Sequence, residues 1–215
     1  MLKRTLLSTV FFCAVLTGCS APAVHHVGNA TAGLFFDVPR EWSSIDEALL
    51  KKAETGWASS EAGSALIDSL TWQTAWVADS SLSASDVFAN TAHSSPVVYA
   101  SSRTLYSAEQ AGIGTDILAA LQDIVLPVST ASTNDGLSVD INRSFSRDGY
   151  QGIEQQLRWV TDEVEQQVNS TIILNKDSSQ VFVVTARCSV ACIAENRDDI
   201  NAILSSITIK EPSGA

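Results

Sequence analysis

From Leu137 to Cys188 the chain reads as four strands in succession, Leu137 to Arg147, Tyr150 to Val160, Glu165 to Asn175 and Gln180 to Cys188. The joins hold two to four residues, such as Lys176-Asp-Ser-Ser. Parallel neighbours need a crossover of a dozen residues or more, so strands joined this tightly pair antiparallel. Ile153, Leu157 and Trp159 recur at period two, with Gln155 among them. The expectation is a meander with one wet face.

The remainder supplies helices and further strands. Leu34 to Val38 alternates into Pro39 as an edge-compatible strand, followed by Trp42. Ser44 with Glu47 predicts a capping box for a helix to about Glu54, broken by Gly56. Ser60 to Leu70 predicts a second helix, with Ala62, Leu66 and Leu70 on one face. Thr71 to Ala78 and Val97 to Tyr106 are strands by β-branched and aromatic content, with a helical turn near Asp86 to Asn90. Thr115 and Asp116 open an amphipathic helix carrying Ile117, Leu118, Leu121, Ile124 and Val125, stopped by Pro127. Asn134-Asp-Gly136 is turn chemistry. Asn196 to Ser206 is a helix with Ile200, Ile203 and Leu204 inward, and Ile207 to Ile209 closes the chain. The fold class is α+β, a central antiparallel sheet flanked by helices, in one domain over 34–211 with a tail at 212–215.

The N-terminus carries an address. Lys3 and Arg4 precede an apolar or small-residue run, Thr5 to Leu16, too short to span a bilayer as a helix. Leu16-Thr-Gly18-Cys19 resembles the bacterial lipobox. Residues 1–18 are then a signal peptide cleaved between Gly18 and Cys19, and the Cys19 thiolate receives lipid. Residues 19–33 are small, polar and aperiodic, which predicts a flexible tether including His25 and His26 as exposed residues. The location expected is the extracytoplasmic face of the cell membrane, held by the anchor at Cys19.

Charge and cysteines agree with that address. The chain has 13 basic and 24 acidic residues; loss of Lys3 and Arg4 with the signal leaves 11 against 24, or −13. Nucleic-acid binding needs a basic footprint and is disfavoured, as is lying flat on anionic lipid. Once Cys13 and Cys19 are accounted for, Cys188 and Cys192 remain. In an oxidising compartment a pair four apart reads as a local disulfide; a redox pair usually has two intervening residues, and here there are three.

Phe36-Asp-Val-Pro39-Arg-Glu-Trp42 resembles the F-x-V-P-x-x-W opening of the PsbP-like α/β-sandwich superfamily. The ending is similar too: a strand, the Cys188/Cys192 turn, then a helix running into Ile203-Leu-Ser-Ser-Ile207. Actinobacterial lipoproteins of that superfamily combine these features. The likeness covers both ends and does not extend to about 55–95. It implies an antiparallel sheet flanked by helices and a role in binding or assembly, with no catalytic residue.

The chemistry-bearing residues point the same way. No G-x-S-x-G elbow occurs, and His93 lies in a polar loop that predicts a solvated side chain. Asp162/Glu163 and Asp198/Asp199 are pairs of the kind that 24 acids produce by chance, and the second pair suits a helix first turn. His25-His26 lacks the further ligands a zinc site needs, so no metal and no cofactor is expected. Trp72 and Trp76 fall on one face of a strand; at a sheet edge they would line a groove for an acyl chain or a sugar. The leading function is a non-enzymatic, membrane-anchored envelope protein that binds or helps assemble a partner protein. The alternative is a lipid or glycolipid carrier with an apolar pocket, and the third is an envelope hydrolase.

Overall fold

The meander forms as β6 (Ser138–Arg147), β7 (Tyr150–Thr161), β8 (Val164–Leu174) and β9 (Gln180–Ser189) in a computed structural model that describes residues 24–57, 65, 67–89, 91–113 and 137–210. Its turns have the handedness that the strand twist requires. Asp148 and Gly149 have φ of 52° and 84°, and Asp162 and Glu163 have φ of 49° and 63°. Positive φ at both central residues is what lets a two-residue hairpin match the right-handed twist.

The other elements are β1 (Val24–Asn29), β2 (Leu34–Pro39), β3 (Ser43–Ile45), α1 (Glu47–Trp57), β4 (Leu70–Val77), α2 (Ala84–Phe88), β5 (Val97–Thr104), α3 (Ser107–Ile113), α4 (Val190–Glu195), α5 (Arg197–Ser205) and β10 (Thr208–Ile209). β5 inserts beside β9, giving a seven-stranded antiparallel sheet in the order β3-β4-β5-β9-β8-β7-β6. A smaller sheet runs β1-β2-β10. The architecture is α+β, as expected.

Period-two alternation divides the large sheet into two packed faces. On one, Val98, Ala100, Phe182, Val184 and Ala186 meet Leu34, Phe36 and Val38 of β2 and Ile200 and Ile203 of α5. We call this the sheet-packed face. On the other, Ala75, Val77 and Val97 meet Leu50 of α1 and Val87 and Phe88 of α2, while Ile113 of α3 joins Ile153, Ile172, Leu174, Val181 and Val183. This is the helix-packed face. Apolar area hidden on both sides drives the layering, at roughly 25 cal/mol per Å².

Several expectations are corrected. Within the tether expected over 19–33, Val24–Asn29 is instead β1, paired with β2 from Val24↔Pro39 to Asn29↔Leu34. Val27 inserts into the main core, and Asn29 Oδ1 accepts from the N–H groups of Thr31 and Ala32 at 2.9 Å, closing the turn. β2 is therefore the central strand of its sheet. The Ser44 cap is displaced too. Ser43–Ile45 pairs with β4 as β3, and Asp46 Oδ1 caps α1 by accepting from the Ala48 and Leu49 N–H groups. Gly56 does not break α1, which runs to Trp57. Of the helix expected over Ser60 to Leu70, Ala65, Ile67 and Asp68 are helical, while Leu70 opens β4. The signal peptide with Cys19, the helix expected from Thr115, the turn at Asn134 and the tail at 212–215 lie outside the described residues.

Cys188 and Cys192 form a disulfide, with Cα atoms 5.9 Å apart. It joins the end of β9 to the first turn of α4, where Ser189 Oγ accepts from the Cys192 N–H at 3.2 Å. α3 is set by an ion pair. Arg103, almost wholly buried, donates through both terminal nitrogens to Glu109 at 2.9 and 2.6 Å, and Glu109 also accepts from the Tyr106 N–H. Such bidentate pairs fix geometry as well as charge.

Candidate functional site

Trp72 and Trp76 share the sheet-packed face of β4, and both pack half-buried against the main core. At Trp76 the strand is not an edge: Ser44 of β3 lies opposite on one side and Val98 of β5 on the other. The ring of His25 rests on Trp76, centroids 4.9 Å apart, and His25 Nε2 donates to the Arg40 carbonyl at 2.9 Å. His25 of β1 thus packs on Trp76, one of the two residues expected to line a groove. Trp76 Nε1 is buried without an acceptor. His26 Nδ1 donates to Asp37 at 2.7 Å on the exposed side. The two histidines serve the small sheet, and among the described residues no cluster of three or more metal-ligating side chains occurs.

His93 is buried at 4 % exposure, against the solvated loop residue expected. Its carbonyl accepts from the Ser189 N–H at 2.7 Å, its N–H donates to Gln166 Oε1, and its Nε2 lies 2.8 Å from Arg187 Nη2. Arg187 also donates to the carbonyls of Asp86 and Val87. Burial pulls its guanidinium down to about 10, still protonated at neutral pH. This cluster ties α2 and the loop at His93 to β8 and β9. It commits the histidine that a serine triad would need.

The helix-packed face carries a feature invisible in any one strand. The registers set Tyr99 of β5, Thr185 of β9, Ser170 of β8, Gln155 of β7 and Asn142 of β6 opposite one another in turn. Five polar side chains therefore form one row across five strands. The Tyr99 hydroxyl donates to Gln73 Oε1 at 3.1 Å, the Thr185 hydroxyl to the Tyr99 carbonyl at 3.4 Å, and Gln155 Nε2 to Asn142 at 3.5 Å. Between these two hydrogen-bonded ends, Ser170 Oγ and Gln155 Oε1 are buried with no partner. At the α1 end Glu54 is buried, and burial holds its carboxyl above the ordinary value, opposed by the Gln73 amide and the Lys51 charge. Polar residues in the middle of strands were the signal. Their lateral alignment was not.

At the far edge of the large sheet, all of β6 except Phe145 is exposed. Val139 and Ile141 are 53 % and 46 % exposed. Among the described residues β6 pairs only with β7, which leaves its outer backbone groups open.

No family model matches the chain, and no curated protein does. Solved structures do. The solution structure of cyanobacterial PsbP (CyanoP) from Synechocystis matches at a TM-score of 0.51 with 12% identity, over 90% of this chain and 96% of that one. LpqN, described as involved in cell envelope biogenesis of Mycobacterium tuberculosis, matches at 0.50 with 14% identity, over 88% and 91%. The chain has a PsbP-like fold. No helix among the described residues is long and apolar enough to cross a membrane.

Proposed function

We propose that this chain is a lipid-anchored extracytoplasmic protein, without enzymatic activity of its own, that holds an envelope partner protein through the β6 edge. The observation that carries the reading is β6 itself: a ten-residue strand exposed on both faces, with an open edge and uncovered Val139 and Ile141. Exposed edges of this length recruit strands, and binding proteins use such edges for strand addition. The occupant is an extended segment of the partner, lying antiparallel or parallel to β6 as an eighth strand. Its backbone supplies the affinity, and its side chains beside Ile141 and Val139 supply the selectivity.

The anchor at Cys19 complements this. Five residue steps separate Cys19 from the start of β1, a reach of about 17 Å when fully extended. The partner is accordingly a protein of the membrane or its immediate surface, in keeping with the involvement of LpqN in cell envelope biogenesis.

The test is site-specific photocrosslinking in intact cells of the native host. Probes at Val139 and Ile141 are expected to give one discrete adduct with an envelope protein, which Cys19→Ala abolishes along with membrane retention. A probe at Leu49, equally exposed on α1, is the control. Equal adducts at Leu49, or none at β6, would overturn the β6 assignment, while retention of the Cys19→Ala protein at the membrane would overturn the anchor.

A further inference from the structure

We propose that the row formed by Thr185, Ser170 and Gln155 on the helix-packed face is a binding site for a neutral, hydroxyl-bearing ligand of the sugar or polyol class. The inference stands on different residues from the β6 edge and does not rest on it.

Buried polar atoms in folded proteins are almost always hydrogen-bonded, and stranding one costs about 1–3 kcal/mol. Here two stranded atoms lie on adjacent strands of one row, Ser170 Oγ and Gln155 Oε1, in residues each 3% exposed. Neighbouring strands are roughly 4.8 Å apart, so Tyr99 to Gln155 spans about 14 Å. The hydrogen bonds at both ends of the row point away from these two atoms, to Gln73 on one side and Asn142 on the other. Tyr99 and Thr185, the β5 and β9 members of the row, are half-buried.

The free groups define what fits. Gln155 Oε1 only accepts, and Ser170 Oγ can accept or donate, so the ligand must present at least one O–H or N–H donor. The nearest cation on this face, Arg187, already serves two carbonyls and His93, which leaves no charge for an anion. Apolar positions flank the row: Val183, Ile172 and Ile153 on one side, Val168 and Leu157 on the other. Hydroxyls in a line between apolar strips match the edge and the C–H faces of a sugar ring.

The test is native mass spectrometry of the full chain extracted from membranes of its own host, beside Ser170→Ala and Ser170→Ala/Gln155→Leu. The wild type is expected to carry a non-covalent mass that fragments as a carbohydrate or polyol. Each variant should lose most of it while keeping the wild-type circular dichroism spectrum, and Ser170→Ala should melt several degrees lower as isolated. A bare wild-type mass overturns the proposal. So does a Ser170→Ala protein that melts at or above the wild-type temperature, since removing a hydroxyl with no partner is neutral or stabilising. An adduct retained by the double variant, or one that is anionic without hydroxyls, overturns the site or the ligand class.

Discussion

Arg187 Nη2 lies 2.8 Å from His93 Nε2, which compels the ring to accept a hydrogen bond there. A guanidinium has only donors, so the imidazole is neutral with its proton on Nδ1. Burial lowers the His93 pKa most, and the Arg187 charge lowers it further, with Asp86 opposing. The folded value thus lies below the unfolded one. The resulting stability is fully present above the ordinary histidine range near pH 6.5 and is lost as the pH falls toward the folded value. Wild-type urea midpoints should therefore drop between pH 7.5 and pH 5. His93→Gln, whose amide oxygen can still accept from Arg187, should drop less. An identical fall in the two proteins would remove His93 as the source.

Glu54 works in the opposite direction. Burial raises its pKa, so folding favours the protonated acid. Its contribution is present below the ordinary glutamate range and is lost as the pH rises through the folded value. Glu54→Gln should then stabilise the ligand-free, refolded protein by about 1 kcal/mol at pH 7.5, with an advantage that shrinks toward pH 4. Denaturant titrations at the two pH values measure it; a variant weaker than wild type at pH 7.5 would show that the carboxylate is paired in solution.

The Cys188–Cys192 bridge closes a loop of five residues, for which the chain-entropy contribution is about 2 kcal/mol. Cys188→Ala/Cys192→Ala should lower the unfolding free energy by that amount, and fully reduced wild type should match it. Both sulfurs belong to buried residues. Dithiothreitol should therefore act slowly on the native protein and quickly in urea. Rapid reduction under native conditions would mark the bridge as exposed and exchangeable.

What the sequence disclosed follows the range of the forces involved. The meander was legible because alternation and turn chemistry are local. The short helical turn expected near Asp86 is α2, capped by Ser83 with Asp86. β1 was missed because His25-His26-Val27-Gly28-Asn29 offers one inward apolar residue, and its partner strand alone makes it a strand. β3 was missed because three residues carry no period. His93 sits in a polar loop, and its burial is decided by Gln166 and Arg187, 73 and 94 residues away. The shared face of Trp72 and Trp76 could be read from spacing; the packing of His25 on Trp76 could not. The polar row needed four registers at once, and register is set by packing across the whole sheet.

Gly152 tests how tightly that register is held. It faces Phe145 of β6 and Ile173 of β8. A Cβ built there would stand 2.4 Å from the Ile172 carbonyl oxygen and 2.5 Å from Phe145 Cζ. The ring can swing away, but the carbonyl belongs to the backbone of β8, a strand paired on both sides, and cannot. Gly152→Ala should therefore cost about 2–3 kcal/mol, in the upper part of the overpacking range. Adding Phe145→Leu should recover only a fraction, because the backbone contact remains. Gly112 in α3 is the control: a Cβ there would stand in open space, with no described atom within 4 Å, and Gly112→Ala should be neutral or stabilise by roughly 0.5 kcal/mol. Urea unfolding of the four proteins decides the matter. If Gly152→Ala lies within experimental error of wild type, the β7–β8 pairing yields at this point, and the alignment of Gln155 with Ser170 three residues further along β7 loses its rigid support.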